Sequence, residues 1–435
     1  VRVHVANDID ESLWLRRDPR AWAQRIFWFV AAGDVVVLSD RPDTAFVEHV
    51  CAVRGIDPTT IRVHVAPPGA HEGRRLEPRS LLDPGFVAEV AAGLGEVTEV
   101  TGLFPSTMVG EFADRLGLPD RVPGAGFVAQ GGGHLANSKA TFRAVAAGVG
   151  APTAPGYVCS DPAEAANAMT QLIDSGRDVL VKKAQNGAGA GNEMVLKPGA
   201  VPPDNIGVRH VHHLDGSPDA VDRYWAQRWA WASVDNRFPV LVEQLLDVRD
   251  SLYVELQVTA QGCRVCATGV LEFTDGMISR ETLGLSEVDT KEAGRFVANA
   301  SRVADVFRAM GYRGYFCVDA VLTADGRIVL TEINARTTTS SHLYQLMGFE
   351  PGGLRTDGGL VLRQHTAPPS WPDLTTAQFL DRVAAAGVGY HPDRGGVFLS
   401  MPATKGFFFG LVCRADEEPD HLRAIDSVFP RRKWD

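Results

Sequence analysis

Apolar residues in the first hundred positions follow two alternating rhythms. Short Val-rich runs (Val1–Ala6, Val35–Leu38, Ile61–Val65) read as buried strands. Longer stretches with apolar residues three and four apart (Pro19–Ala32, Thr44–Arg54, Pro84–Leu94) read as helices. Strands separated by helices predict a parallel α/β layer. In such layers polar groups at the C-terminal strand ends meet ligands, which makes Asn7 and Asp8 candidate substrate contacts. An Asx turn closing the strand is the plainer alternative.

Further along, Asn137 or Ser138 caps a helix running from Lys139 to about Ala147, and Gly148–Gly150 ends it. Lys139 in the first turn opposes the helix dipole, a cost that an anion at that helix end would offset. Val179–Lys183 and Glu193–Leu196 predict a hairpin whose tip carries Gly187, Gly189 and Gly191. No helix follows the glycines, which excludes a dinucleotide-binding turn; such a tip can instead fold backbone amides over phosphates. Lys182 and Lys183 alternate, so only one of them faces that ligand. Residues 200–216, with Arg209, His210, His212 and His213, read as solvated loop, and Tyr224, Trp225, Trp229 and Trp231 as the packing face of a helix. Val240–Leu246 is a strand that becomes a connector, Ser251–Val258 and Cys263–Leu271 form an antiparallel sheet, and Ala293–Met310 is a strongly amphipathic helix. Beyond it come a Gly-rich loop at Gly348–Gly359, a helix over Thr376–Ala386, strands Gly396–Ala403 and Phe407–Cys413, and a last helix over Asp420–Val428.

The chemistry concentrates between Phe316 and Leu343. Cys317–Leu322 and Arg327–Thr331 flank Ala324-Asp325-Gly326, the signature of an antiparallel hairpin. Folding it back sets Asp319 beside Glu332 and Asn334, with Arg336 one step beyond. Three hard oxygen ligands suit Mg²⁺ with substrate phosphates better than zinc. A surface hairpin with ordinary charges is the alternative, but Asp319 lies in an apolar run where an unpaired carboxylate is costly.

Composition narrows this picture. The 435 residues are 45% hydrophobic and 22% charged, ample for two to four lobes of an ordinary globular enzyme. Forty-three basic against fifty-three acidic residues give a net charge of −10, which argues against nucleic acid as the partner. No run approaches the roughly 20 apolar residues that span a bilayer, and the N-terminus reads as a strand rather than a signal peptide. Six scattered cysteines, including Cys263-x-x-Cys266 without a second metal-ligand pair, read as reduced thiols and point to the cytoplasm.

The ordered series Asn137-Ser138-Lys139, Val181-Lys182-Lys183-Ala184 with its Gly-rich tip, Val242-Glu243-Gln244-Leu245-Leu246, Asp250, Asp319 and Glu332–Arg336 resembles the ATP-grasp superfamily of carboxylate–amine ligases. The resemblance covers roughly Asn137 to His342. It implies an α/β and α+β architecture: an N-terminal pre-ATP-grasp α/β domain over 1–115, a lid subdomain with a linking helix over 116–245, and a large subdomain with a C-terminal extension over 246–435. It further implies that Lys139 and Lys183 hold the α- and β-phosphates of ATP under the Gly187/Gly189/Gly191 lid. Glu243 and the backbone near Leu246 would meet adenine, and Asp250 the ribose. Asp319, Glu332 and Asn334 would ligate Mg²⁺, Arg336 would stabilise the acyl-phosphate and oxyanion, and Arg280 would be a second phosphate-facing cation. The partners implied are a carboxylic acid and an amine or peptide nucleophile, neither nucleic acid nor membrane, and the resemblance admits a homodimer. Carboxylating members carry a Gln-Val-Glu-His run just after the catalytic Arg; here Thr337–His342 replaces it. The first domain, Gln130–Gly133 and the C-terminal lobe look most like the peptide ligases of the pheganomycin-synthesis type. These join a guanidino acid to a peptide N-terminus, and Ser340, Ser341 and His342 would then line the acyl pocket. Other amino-acid ligation, carboxylation, or nucleotide binding without catalysis are the alternatives.

Overall fold

The computed structural model describes residues 1–7, 19–185, 191–203, 206–285, 288–346 and 360–429. Asp8, Gly187 and Gly189, and the whole Gly348–Gly359 loop, lie outside them. Three sheets organise the chain. In the first, Arg62–Val65, Val35–Leu38, Arg2–Val5 and Glu99–Gly102 lie side by side in that order, all parallel. Val3 is flanked by Val35 and Val100, and these valines are fully buried, as the uninterrupted apolar runs require. Asp43 caps the helix Thr44–Arg54 by accepting from the Phe46 amide, and Gly55, at φ 67°, ends it. The helix expected over Pro19–Ala32 is broken into a single turn, Arg20–Ala23, and a 3₁₀ segment, Gln24–Phe29. Ile26, Phe27, Trp28 and Phe29 are buried in succession, which one amphipathic stripe cannot provide.

The second sheet is ordered Gly156–Cys159, Val240–Gln244, Val179–Lys183, Asn192–Leu196 and His210–His213. The last strand corrects the loop expected at 200–216: it pairs parallel to Asn192–Leu196, with Glu193 opposite His210. It is a largely exposed edge strand, so its polar composition concealed it. Helices Pro162–Asp174 and Ala220–Ser233 cover one face, burying Tyr224 and Trp225 among Val179, Val181 and Val242.

Eight strands make the third sheet, in the order Ile328–Asn334, Gly314–Thr323, Val248–Val258, Cys263–Thr274, Met277–Leu283, Leu360–Thr366, Phe408–Arg414 and Gly396–Leu399, each pair antiparallel. Helix Thr290–Ala309 packs Phe296, Ala300, Val303 and Phe307 on one face, against Leu252, Val254, Leu256 and Val318. Alternation therefore turns Tyr253, Glu255, Cys317 and Asp319 to the other face. A further core joins Phe27 and Trp28 to Phe379, Phe398 and Met401 of the C-terminal residues, and the Trp28 indole donates to the Ser400 carbonyl at 3.1 Å. All six cysteines are free thiols. Among the described residues no helix is long and apolar enough to cross a membrane.

Candidate active site

The hairpin Gly314–Thr323/Ile328–Asn334 sets Asp319 directly opposite Glu332 and Cys317 opposite Asn334, with a bulge just beyond Asp319. The Asn334 amide donates to Asp319 Oδ2 at 2.7 Å. Burial pushes the Asp319 carboxyl well above the usual range, and the charge of Glu332 adds to the shift. Burial also acts upward on Glu332, but the charges of Lys139, Lys182 and Arg336 outweigh it and hold Glu332 below its ordinary value. Two half-buried carboxylates facing each other with an amide oxygen nearby form a hard donor set, and a divalent cation would relieve their repulsion. The donor set thus fits Mg²⁺. Among the described residues no group of three His, Cys, Asp or Glu side chains stands together as a metal site, so a cation here would take further ligands from substrate or water.

Cations reach this hairpin from two other elements. Ser138 caps the helix Lys139–Gly148 through the Thr141 amide, which aims the buried Lys139 at the hairpin, where its Nζ lies 2.7 Å from Glu332 Oε2. The Lys139 amide donates to the Ala184 carbonyl at 2.9 Å, tying the helix start to the strand that carries the lysine pair. On that strand the structure brings Lys182, not Lys183, to the hairpin. Lys182 Nζ lies 2.7 Å from Glu243 Oε2 and 3.5 Å from the Thr331 carbonyl. Lys183 points to the helix-covered face, 4.7 Å over the Trp231 ring; burial there, and next the Arg228 charge, lower its pKa. Gly191 closes the hairpin tip by accepting from the Lys183 amide at 2.9 Å.

Glu243 is buried at the centre of a three-member network. Its other oxygen takes Arg143 Nη1 at 2.6 Å, and Arg143 also donates to the Ala154 and Gly156 carbonyls, both at 2.9 Å. Sequence reasoning passed over Arg143, although it stands four residues after Lys139 and hence on the same helix face. Asn137, in the sequence a candidate cap within the Asn137-Ser138-Lys139 run, also clamps the chain just past strand Ile328–Asn334. Its Oδ1 accepts from the Ala335 amide at 3.1 Å and from Arg336 Nη1, while its Nδ2 donates to the Ala335 and Gly133 carbonyls at 3.2 and 2.8 Å.

The other expected site residues lie as follows. Leu246 is half-buried in the connector, and Asp250 sits early in Val248–Val258 opposite Leu322, paired with Arg249 at 2.9 Å. Arg280 is not brought to the Asp319 face. It lies three strand spacings away, roughly 14 Å, and its guanidinium binds Glu272 at 2.5 and 2.8 Å and approaches Glu418 at 3.8 Å. Its neighbour Glu281 takes the inner face, so alternation sends Arg280 outward. Asn7 spends its amide inside its own layer, donating to the Phe104 carbonyl at 2.7 Å and Ser106 Oγ at 3.2 Å and accepting from the Phe104 amide. In the loop after Arg336, the Thr338 hydroxyl donates to Glu255 Oε1, Ser341 Oγ accepts from the Thr338 amide at 2.8 Å, and the Ser340 amide donates to Thr338 Oγ1 at 3.2 Å. His342 is wholly buried, its ring 5.5 Å from that of Trp28, and burial lowers its pKa well below the usual value.

Comparison with known proteins identifies the class of fold. Residues 23–118 match the family described as the Pre ATP-grasp domain. Solved structures match over nearly the whole chain. The biotin carboxylase domain of 2-oxoglutarate carboxylase from Hydrogenobacter thermophilus, in complex with MgADP, ADP and bicarbonate, is 13% identical with a TM-score of 0.61, covering 99% of this chain and 90% of that one. N5-carboxyaminoimidazole synthase from Aspergillus clavatus, in complex with ADP and 5-aminoimidazole ribonucleotide, is 14% identical with a TM-score of 0.57, covering 98% of each. The L-amino acid ligase from Bacillus licheniformis is 11% identical with a TM-score of 0.55, covering 100% and 98%. No curated protein matches by sequence. The chain therefore has an ATP-grasp fold with a pre-ATP-grasp domain ahead of it.

Proposed function

We propose that the protein is an ATP-dependent carboxylate–amine ligase that forms an amide through an acyl phosphate. The observation that carries this reading is the convergence of Lys139, Lys182 and Arg336 on Asp319, Glu332 and Asn334, joined from three separate elements. Asp319, Glu332 and Asn334 would hold Mg²⁺, which when bound supplies charge neutralisation on the transferring phosphoryl group. Lys139 and Lys182 seat the phosphates from the helix end and the strand. Glu243 fixes Lys182 and Arg143, and the connector at Leu246 with Asp250 meets the nucleoside. A carboxylate oxygen attacks the γ-phosphorus, the bond to the β–γ bridging oxygen breaks, and ADP leaves. The amine nitrogen then attacks the acyl carbon, loses a proton, and phosphate departs. Arg336, oriented by Asn137, meets the oxyanion of that second step. No side-chain nucleophile is required.

The narrower reading is a guanidino acid joined to the N-terminus of a peptide in natural-product synthesis. Its support is the N-terminal layer, the Gln130–Gly133 run and a Ser/Thr loop where carboxylating enzymes carry Gln-Val-Glu-His. The test is phosphate release from ATP across a mixed acid and peptide library, with products read by mass spectrometry. Release that needs both an acid and an amine, with a matching amide mass, is the expected result. Turnover with neither, or with bicarbonate alone, would overturn the reading.

A further inference from the structure

The face of the eight-stranded sheet that carries Asp319 bears two more acids that phosphoryl transfer does not use. Glu255 stands opposite Cys317, two residues from Asp319, and Tyr253 stands opposite Asp319 itself. Tyr253 in turn faces Gly269, where any Cβ would collide with the phenol; the ring crosses that gap toward Glu281 on Met277–Leu283. Gln364 on Leu360–Thr366 closes the group, and none of Tyr253, Glu255, Glu281 and Gln364 is more than 2% exposed.

Their hydrogen bonds leave a one-sided remainder. Glu255 Oε1 accepts from Thr338, and Glu281 Oε2 accepts from Gln364 Nε2 at 2.9 Å. That second bond fixes the Gln364 amide, since the flipped orientation would set oxygen against carboxylate. Glu255 Oε2, Glu281 Oε1, Gln364 Oε1 and the Tyr253 hydroxyl make no hydrogen bond of good geometry. With both carboxyls ionised, three of these four atoms can only accept. Among the described residues no Lys, Arg or His forms an ion pair with either carboxylate, although a buried carboxylate is costly without one. Burial raises the Glu255 carboxyl to about 8, Thr338 opposing and the charges of Glu281 and Asp319 adding to the rise; burial raises Glu281 as well, opposed by the hydroxyls of Ser340 and Tyr253 and the Gln364 amide, and a bound cation would hold both groups ionised. The Gln364 carbonyl oxygen, a neutral acceptor left without a donor, points independently to a donor-rich ligand.

We infer that Glu255, Glu281, Gln364 and Tyr253 form the seat of a positively charged nitrogen group, ammonium or guanidinium, on the acid substrate. The inference rests on the ligase reading for the other end of that substrate. Its position suits the role. Glu255 is next but one along the face from Asp319, and Thr338, two residues beyond Arg336, ends on it. A substrate anchored here by its cation extends its carboxylate toward Arg336 and the proposed phosphate site. Recognition through buried acceptors also gives steep selectivity, because a neutral isostere leaves them unpaired.

The experiment titrates the MgADP-loaded protein calorimetrically with ω-guanidino acids of two to five carbons and their ureido isosteres. A second arm uses ω-amino acids and their ω-hydroxy isosteres, which separates guanidinium from ammonium. The expected result is a preference of about 100-fold or more for the cationic member of one pair, falling at least tenfold in Glu281→Gln while MgADP affinity holds. Glu255→Gln and Gln364→Leu read the same ratio should Glu281→Gln fail to fold. Equal binding of cationic and neutral members, no binding of any acid, or an unchanged preference in all folded variants overturns the inference. Amide synthesis without cation preference leaves the ligase reading standing and removes the seat. Cation-selective binding without acid-dependent ATP turnover does the reverse.

Discussion

Replacing each of the adjacent lysines in turn separates the two faces of one strand. Lys182 and Glu243 are each about 95% buried and 2.7 Å apart, with Arg143 on the remaining carboxylate oxygen. Lys182→Met leaves Glu243 with one partner instead of two, and breaking a buried pair in this way costs about 3 kcal/mol. If Lys182 also donates to a nucleotide phosphate, a charge-assisted bond worth about 1.5–3 kcal/mol is lost, a fall in MgADP affinity of roughly 10- to 100-fold. Lys183→Met removes only a cation–π contact at 4.7 Å over Trp231, worth about 0.5–1 kcal/mol. Nucleotide affinity should then stay within about threefold of wild type. Isothermal titration with MgADP, run at low temperature so that both variants remain folded, reads the difference directly; thermal melts report the stability loss separately. Lys182→Arg keeps the charge and should recover part of both. Loss of nucleotide affinity in Lys183→Met with retention in Lys182→Met would refute the assignment of faces.

Three further outcomes are expected. Asn137→Ala removes the clamp on Ala335 and Arg336; acid-dependent ATP turnover should fall roughly 10- to 100-fold with MgADP affinity nearly unchanged, and a kcat within twofold of wild type would argue against a positioning role. Glu332→Ala should weaken Mn²⁺ binding, followed by electron paramagnetic resonance, by at least about tenfold; an unchanged titration would refute the metal assignment. His342 gives a pH signature. It is buried and neutral, so the unfolded chain takes up its proton first, and stability is lost as pH falls below about 6.5. The loss should reach about 2 kcal/mol between pH 6.5 and 5, read from urea midpoints, and His342→Phe should flatten that part of the slope. Equal slopes in the two proteins would show that His342 is protonated in the folded state.

What the sequence disclosed was local. The hairpin over Phe316–Leu343 could be read because an Asp-Gly turn sets its register and brings Asp319 within one residue of Glu332; the bulge between Asp319 and Ala320, which the sequence does not announce, sets the two directly opposite. Lys139 could be placed because a serine cap defines its helix turn. What was hidden depends on contacts between distant elements. Alternation says that Lys182 and Lys183 oppose each other, but only the helices packed over Val179 and Val181 decide which is inside. Arg143 gains its meaning from Glu243, a hundred residues later. That Arg280 lies away from Asp319 could not be read, because its orientation follows from a register carried across four strands, with a bulge in the last step. His210–His213 is invisible to hydrophobic patterning because an exposed edge strand needs little apolar material.

The ion pairs themselves suggest how the proposed site is kept ready. Lys139 and Lys182 are held desolvated by Glu332 and Glu243, so part of the cost of bringing two ammonium groups out of water is incurred during folding and not at binding. The two acids differ in what happens next. Glu243 keeps Arg143 whether or not Lys182 turns to a phosphate, and can remain a fixed counter-charge. Glu332 faces Asp319, so when Lys139 swings toward a phosphate the two carboxylates are left to repel each other. A divalent cation is then the natural replacement for the lysine. Nucleotide and metal should therefore bind with positive coupling, each raising the affinity of the other by the same factor. That coupling should vanish in Lys139→Met, where Glu332 has no ammonium group to exchange.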